Sequence, residues 1–172
     1  MIRKIRTGTW ETNSSSVHQL IIDVRRPEGD LEVPESIVLR DQEFGWDFGT
    51  FDDVQSKANY LFTACTHATE RRGFDELVET LVNNLKSIGV KSVKIATPTD
   101  DPDFFYGYRG GIDHGNDKLE ECVRPIIGDP DRLARFLFLD TSELRTGNDN
   151  STGGPDGWYD HPDGTECFEG GN

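Results

Sequence analysis

The chain has 172 residues and a net charge of −14, and 34% of its residues are hydrophobic. That length supports one hydrophobic core, and the apolar residues are clustered enough to exclude global disorder. An acidic chain lacks the basic face that neutralises phosphates, so direct nucleic-acid binding is disfavoured.

The charge is spread unevenly. Residues 1–26 hold five Lys or Arg against two acids, whereas residues 147–172 hold six acids and no Lys or Arg. Cys65, Cys122 and Cys167 are widely spaced and odd in number. They read as reduced thiols of a cytosolic protein, not as a disulfide framework or a CxxC metal pair. No apolar run approaches the roughly 18 residues of a membrane span. No apolar stretch follows the first basic residues as a signal peptide would require. The expectation is a protein with no membrane association.

In chain order, residues 2–6 alternate apolar and basic like an edge strand. A polar run, RTGTWETNSSS, follows and turns apolar at Leu20, Ile21 and Ile22, so residues 17–24 read as a buried strand. Residues 25–30 are a turn by composition. Val33, Ile37, Val38 and Leu39 can supply one short strand around Pro34. Thr50 reads as the cap of a helix with Asp52 and Asp53 in its first turn, Arg71 and Arg72 in its last and Gly73 as its stop. Val54, Ala58, Leu61, Phe62, Cys65 and Ala68 share one face of it. A second helix over 75–88 turns Leu77, Val78, Leu81, Val82, Leu85 and Ile88 inward and stops at Gly89. Residues 90–96 alternate as a strand. After a Pro/Asp loop at 97–103 and an aromatic run at 104–108, residues 117–127 read as a short helix interrupted near Pro125. Asp129 and Pro130 open another helix, with Leu133, Phe136 and Leu137 on its apolar side. A brief strand at 142–145 follows. Residues 158–168 read either as a small hairpin about Pro162, Asp163 and Gly164 or as a disordered acidic tail. The expected fold is α+β, or an irregular α/β. It has a single domain over 1–146, with a mixed sheet and about four helices, and a Gly/Asp-rich acidic tail or small hairpin over 147–172.

The stretch TWETNSSSVHQL at 9–20 resembles the opening motif, of the form FETNSSSxHS, of a family of bacteriophage and prophage proteins of uncharacterised function. Three later pieces are also similar to that family: FDDVQSKANYL at 51–61, IDH at 112–114 and TGNDN at 146–150. Trp10 stands where the family has Phe, and Gln19 where it has Ser. The first motif is long enough to be specific, and the tail lies outside the resemblance. The resemblance implies a phage or prophage origin, and with it the cytoplasm of an infected or lysogenic host cell. It brings no activity, so the residues are read on their own.

Three polar motifs carry groups that can do chemistry. In the first, Ser16, His18 and Leu20 fall on one face of the expected strand, so a serine and an imidazole can hydrogen bond. The bland alternative is a Ser/Asn-rich turn that satisfies its own backbone. The second, Asp113-His114-Gly115, offers a metal ligand or a carboxylate that orients an imidazole, or simply a tight turn. The third, Asn148-Asp149-Asn150, offers oxygens to a hard cation or forms an Asx turn. Loops at one end of a sheet often converge, and convergence here would make a single site. His18 would be its general base, one of Ser14, Ser15 and Ser16 its nucleophile, Asn13 its oxyanion donor, and Glu11, Asp113 and His114 further acid–base groups. Arg6 and Arg109 would bind a substrate phosphate or carboxylate, with Asp149 beside them. Alternatively His18, Asp113 and His114 would hold a divalent metal ion with a position open to water. His67 and His161 have no partner at ligand spacing. The function expected from such a site is a small hydrolase or transferase. The competing expectations are an acidic protein that binds and inhibits a host protein, by nucleic-acid mimicry among other means, and a virion or assembly protein that self-associates through residues 104–108.

Overall fold

A computed structural model describes residues 16–25, 29–46, 48–66, 71–96, 110–112, 117–148 and 160–171. Among these residues the chain is a single α+β domain with four helices and both parallel and antiparallel strand pairs. The two pairing senses occupy separate sheets. Strands β1 (Ser16–Asp23), β3 (Gly49–Phe51), β5 (Glu143–Asn148) and β6 (Thr165–Gly171) form an antiparallel sheet in the order β3-β5-β1-β6. Strands β2 (Ser36–Leu39) and β4 (Ser92–Ile95) form a parallel pair.

β1 is the strand on which the sheet is built. Its apolar run Leu20-Ile21-Ile22 is wholly buried, as expected for a central strand covered on both faces. It takes β5 on one side, with Ser16 opposite Asn148 and Leu20 opposite Leu144, and β6 on the other, with Leu20 opposite Phe168. Residues 165–171, read from sequence as tail or hairpin, are therefore a strand of this sheet. The boundary expected at 146/147 falls inside β5.

Helix α1 (Val54–Thr66) is the centre of the molecule. Every residue from Lys57 to Cys65 is buried, so the helix is enclosed all round rather than amphipathic. It contacts α2 (Arg71–Ser87), α3 (Asp117–Ile127), α4 (Pro130–Phe138) and β2. Its cap is Asp53, whose carboxylate accepts the Ser56 N–H at 2.8 Å. Thr50, the cap expected from sequence, lies in β3 opposite Arg145, because its β-branched side chain suits a strand and the pairing claims it. Arg71 and Arg72 open α2 instead of closing α1, and Gly73 lies inside α2.

α2 buries Leu77, Leu81 and Leu85 at helical spacing. Each such leucine stabilises the fold by about 1.5–3 kcal/mol. The helix ends as its glycine requires. Gly89 has φ +108°, Val90 N–H donates to Leu85 O and Gly89 N–H donates to Lys86 O. α3 runs through Pro125 without interruption to Ile127. α4 begins where Asp129 and Pro130 direct it, with the Asp129 side chain accepting from Asp131 N–H and Arg132 N–H. Among the described residues, no helix is long and apolar enough to cross a membrane.

Candidate functional site

Polar side chains of α1 hold the end of β2 and the residues that follow it. Asn59 Oδ1 accepts the Arg40 N–H at 3.0 Å, and Asn59 Nδ2 donates to Gln42 Oε1 at 2.8 Å. One turn on, Thr63 Oγ1 accepts the Gln42 N–H at 3.0 Å. Gln55 Nε2 donates to Asn59 Oδ1 and to Val38 O. These bonds fix residues 38–42 against the helix. Residues 42–44 in turn hold residues 110–112: Gly111 N–H donates to Gln42 O at 3.0 Å, and Phe44 N–H donates to Gly111 O at 2.8 Å. Phe44 and Ile112 form a parallel bridge. Gly110 makes the approach feasible, because a Cβ there would lie 2.3 Å from Gln42 N.

An aromatic cluster joins this corner to β1. The Phe44 ring meets Tyr60 edge-on at 5.2 Å and Phe51 at 5.7 Å. Tyr60 lies 5.8 Å from the His18 ring. His18 is opposite Thr146, which is opposite Gly49 on the far side. Two rungs further, Ser16 and Asn148 are backbone partners. Ser16 and Asn148 are thus paired directly, and Ile112 is linked to β1 through Phe44, Tyr60 and His18 in turn.

His18 is a core residue here. Its side chain is fully buried beside Tyr60, and it shares the inner face of β1 with Leu20 and Ile22. The Tyr60 hydroxyl is also buried, with no hydrogen-bond partner among the described residues. Burial, and secondarily Cys122, hold it well above its ordinary pKa, so it remains protonated. Ser16 opens β1 as expected. Arg6, Glu11, Asn13, Ser14, Ser15, Arg109, Asp113, His114 and Asp149 lie outside the described residues, as do His67 and the aromatic run at 104–108.

Sequence reasoning missed two groups of side chains. At the opposite end of β1 an open hollow of about 590 Å³ is lined by Asp23, Asp30, Glu32 and Asp140, with Arg25, Phe138 and Thr141 among its other walls. Arg25 Nε donates to both Asp23 oxygens, at 2.9 and 3.1 Å. This guanidinium holds the Asp23 carboxyl well below the usual carboxylate range. Burial opposes the shift, while Thr141 and the Arg25 backbone N–H add to it. Beneath the hollow, Lys57 is fully buried and donates from Nζ to Leu139 O and Ser142 O, both at 3.0 Å. Burial pulls its pKa down to about 8, against the opposing charges of Asp52, Asp53, Asp140 and Glu143. The one sequence signal was a lysine set among the inward positions of an apolar helix.

The second missed group is His161, Cys167 and Glu169, whose ligand atoms all lie within 4.8 Å of one another. It is the one group of three or more such side chains close enough to share a cation among the described residues. The spacing 161/167/169 gave no hint, because the turn into β6 brings His161 back. Of the metal ligands expected from sequence, His18 faces the core, and Asp113 and His114 are outside the described residues.

Compared with known proteins, the chain matches no family model, no curated protein and no solved structure.

Proposed function

We propose that the chain is a small phage-type hydrolase or transferase, with a site assembled from the three polar motifs where β1 begins and β5 ends. One observation supports this reading: Ser16 pairs with Asn148, and Ile112 is linked to β1 through the chain Phe44–Tyr60–His18. One of Ser14, Ser15 and Ser16 is the nucleophile, and Asn13 stabilises the oxyanion. The full burial of His18 moves the general-base role to His114, oriented by Asp113 or Glu11, and leaves His18 as a core residue of β1. His114 takes the serine proton as Oγ attacks an acyl or phosphoryl centre and returns it to the leaving group. Arg6 and Arg109 bind the substrate's anionic group. In a metal-dependent alternative, Asp113, His114 and Asp149 would instead hold a divalent metal ion, which would supply the electrophile. The resemblance to phage and prophage proteins supports a setting in the cytoplasm of an infected or lysogenic cell.

A fluorophosphonate probe tests it, because such a probe marks only an activated serine. The expected result is a single adduct within Ser14–Ser16, located by mass spectrometry, that disappears in His114→Ala and Asp113→Asn. A folded protein that takes no adduct and cleaves neither acyl nor phosphoryl esters overturns the reading.

A second reading has its own support in the four carboxylates that line the hollow beside Arg25. There the chain is an acidic binder of a basic segment of a host protein, with Asp23–Arg25 showing how the wall grips a guanidinium. Salt-sensitive binding of an arginine-rich peptide, lost when Asp30, Glu32 and Asp140 are changed to amides, is the outcome that favours it.

A further inference from the structure

We infer that His161, Cys167 and Glu169 form a binding site for a borderline-soft divalent metal ion of the zinc class, on the face of the sheet away from the helices. The geometry follows from strand alternation. Cys167 and Glu169 are two apart in β6, so both project from one face. Their cross-strand partners are Ile21 and Gln19, whereas the intervening Phe168 pairs with Leu20 on the core side. His161 is brought over the same face by the turn that precedes β6. Gly164 takes φ +84°, Thr165 Oγ1 donates to Pro162 O at 2.8 Å, and Val24 N–H donates to Gly164 O at 3.0 Å. From β5, Arg145 Nη1 donates to Asp160 O at 3.0 Å and so fixes the residue before the histidine.

The donor set is one imidazole, one thiol and one carboxylate. Sulfur with nitrogen selects zinc-class ions over magnesium or calcium, which prefer oxygen alone. Metal bonds of about 2.0–2.3 Å place neighbouring donors of a tetrahedral site roughly 3.3–3.8 Å apart. His161 Nε2 and Glu169 Oε1 are already 3.6 Å apart, and the whole set lies within 4.8 Å. Small side-chain rotations close the difference, since His161 and Glu169 are exposed and Cys167 is half-buried.

A second observation concerns what surrounds the ligands. Gln19 is fully buried and donates from Nε2 to Glu169 Oε1 at 2.9 Å. It holds that carboxylate as an outer partner holds a metal ligand. The Oε1 of the same amide is buried with no hydrogen-bond partner among the described residues. On binding, the Cys167 thiol releases its proton to solvent and the thiolate takes the metal, while His161 binds as the neutral imidazole.

Cobalt(II) titrated into the reduced full-length protein is the test. The expected result is one equivalent bound, with tetrahedral d–d bands and a thiolate-to-cobalt charge-transfer band. Cys167→Ser should abolish the charge-transfer band. Loss of even an outer partner of a metal site costs about 10–100-fold in affinity, so His161→Ala and Glu169→Gln should each weaken cobalt binding at least about tenfold. All three changes are at exposed or half-buried positions, and circular dichroism should show the fold retained. The inference is overturned if the folded protein shows no charge-transfer band. It is equally overturned if the band persists in Cys167→Ser, or if His161→Ala and Glu169→Gln bind cobalt as tightly as the parent.

Discussion

Lys57 is the residue whose chemistry the fold changes most. Its ammonium is enclosed, yet two carbonyls at the end of α4 and in the following turn accept from it. Removing the donor leaves those carbonyls unsatisfied, so Lys57→Met should cost about 1–3 kcal/mol at neutral pH. The pH dependence has a definite sign. The folded pKa, about 8, lies below the ordinary 10.5, so the unfolded chain binds the proton more tightly between those values. Lys57 therefore makes stability rise with pH across that window. Cys65 and Cys167 act oppositely, because burial holds their thiols up at about 12 and about 11. Urea denaturation of parent and Lys57→Met from pH 7 to 10.5 cancels the thiols, and the difference between the two should grow with pH. A constant difference would mean that the amine does not titrate in this window. The segment FDDVQSKANYL also gains a physical meaning at this scale. Asp53 caps α1, Gln55 and Asn59 clamp residues 38–42, Lys57 holds the α4 end and Tyr60 packs on His18.

Elements whose ends are set by local chemistry were legible in the sequence. Gly89 stops α2 and Asp129 with Pro130 starts α4, because a left-handed residue and a cap act on their own few neighbours. Gly89→Ala tests this directly. An added Cβ would meet only Val33 Cγ1, at an ordinary 3.6 Å, so the cost is the backbone's alone. The expected loss is about 1 kcal/mol in urea denaturation, and an unchanged midpoint would contradict the assignment. Elements set by distant partners were not legible. Thr50 suits a helix cap until Arg145 pairs with it, and Pro125 suits a break until α3 closes around it. For β6 the sequence leaves a hairpin arm and an acidic tail equally open, and its pairing with β1 decides between them. The candidate site divides the same way. The polar motifs were visible as composition. The burial of His18, the acidic hollow and the His161–Cys167–Glu169 group depend on register and could not be read locally.

At the scale of the whole molecule, the acidic end is part of the architecture. β6 packs Phe168 against the core, and its Glu169 O accepts from Cys122 Sγ on α3. Gly170 lets the strand lie close to that helix, since a Cβ there would sit 3.3 Å from Cys122 Sγ. Removing residues 165–172 therefore tests the fold rather than a tail. The shortened chain should lose its cooperative thermal transition and scatter light on warming, because β1 becomes an unprotected edge. A melt like the parent's would show that β6 is dispensable. Strand order has one more consequence, for synthesis on the ribosome. β1 is made well before the strands on both of its sides: its Gln19 bonds to Glu169, 150 residues onward. The most apolar strand of the sheet must wait for its neighbours while all four described helices are made. The nascent chain is thus most exposed to chaperones and proteases just before β5 and β6 emerge.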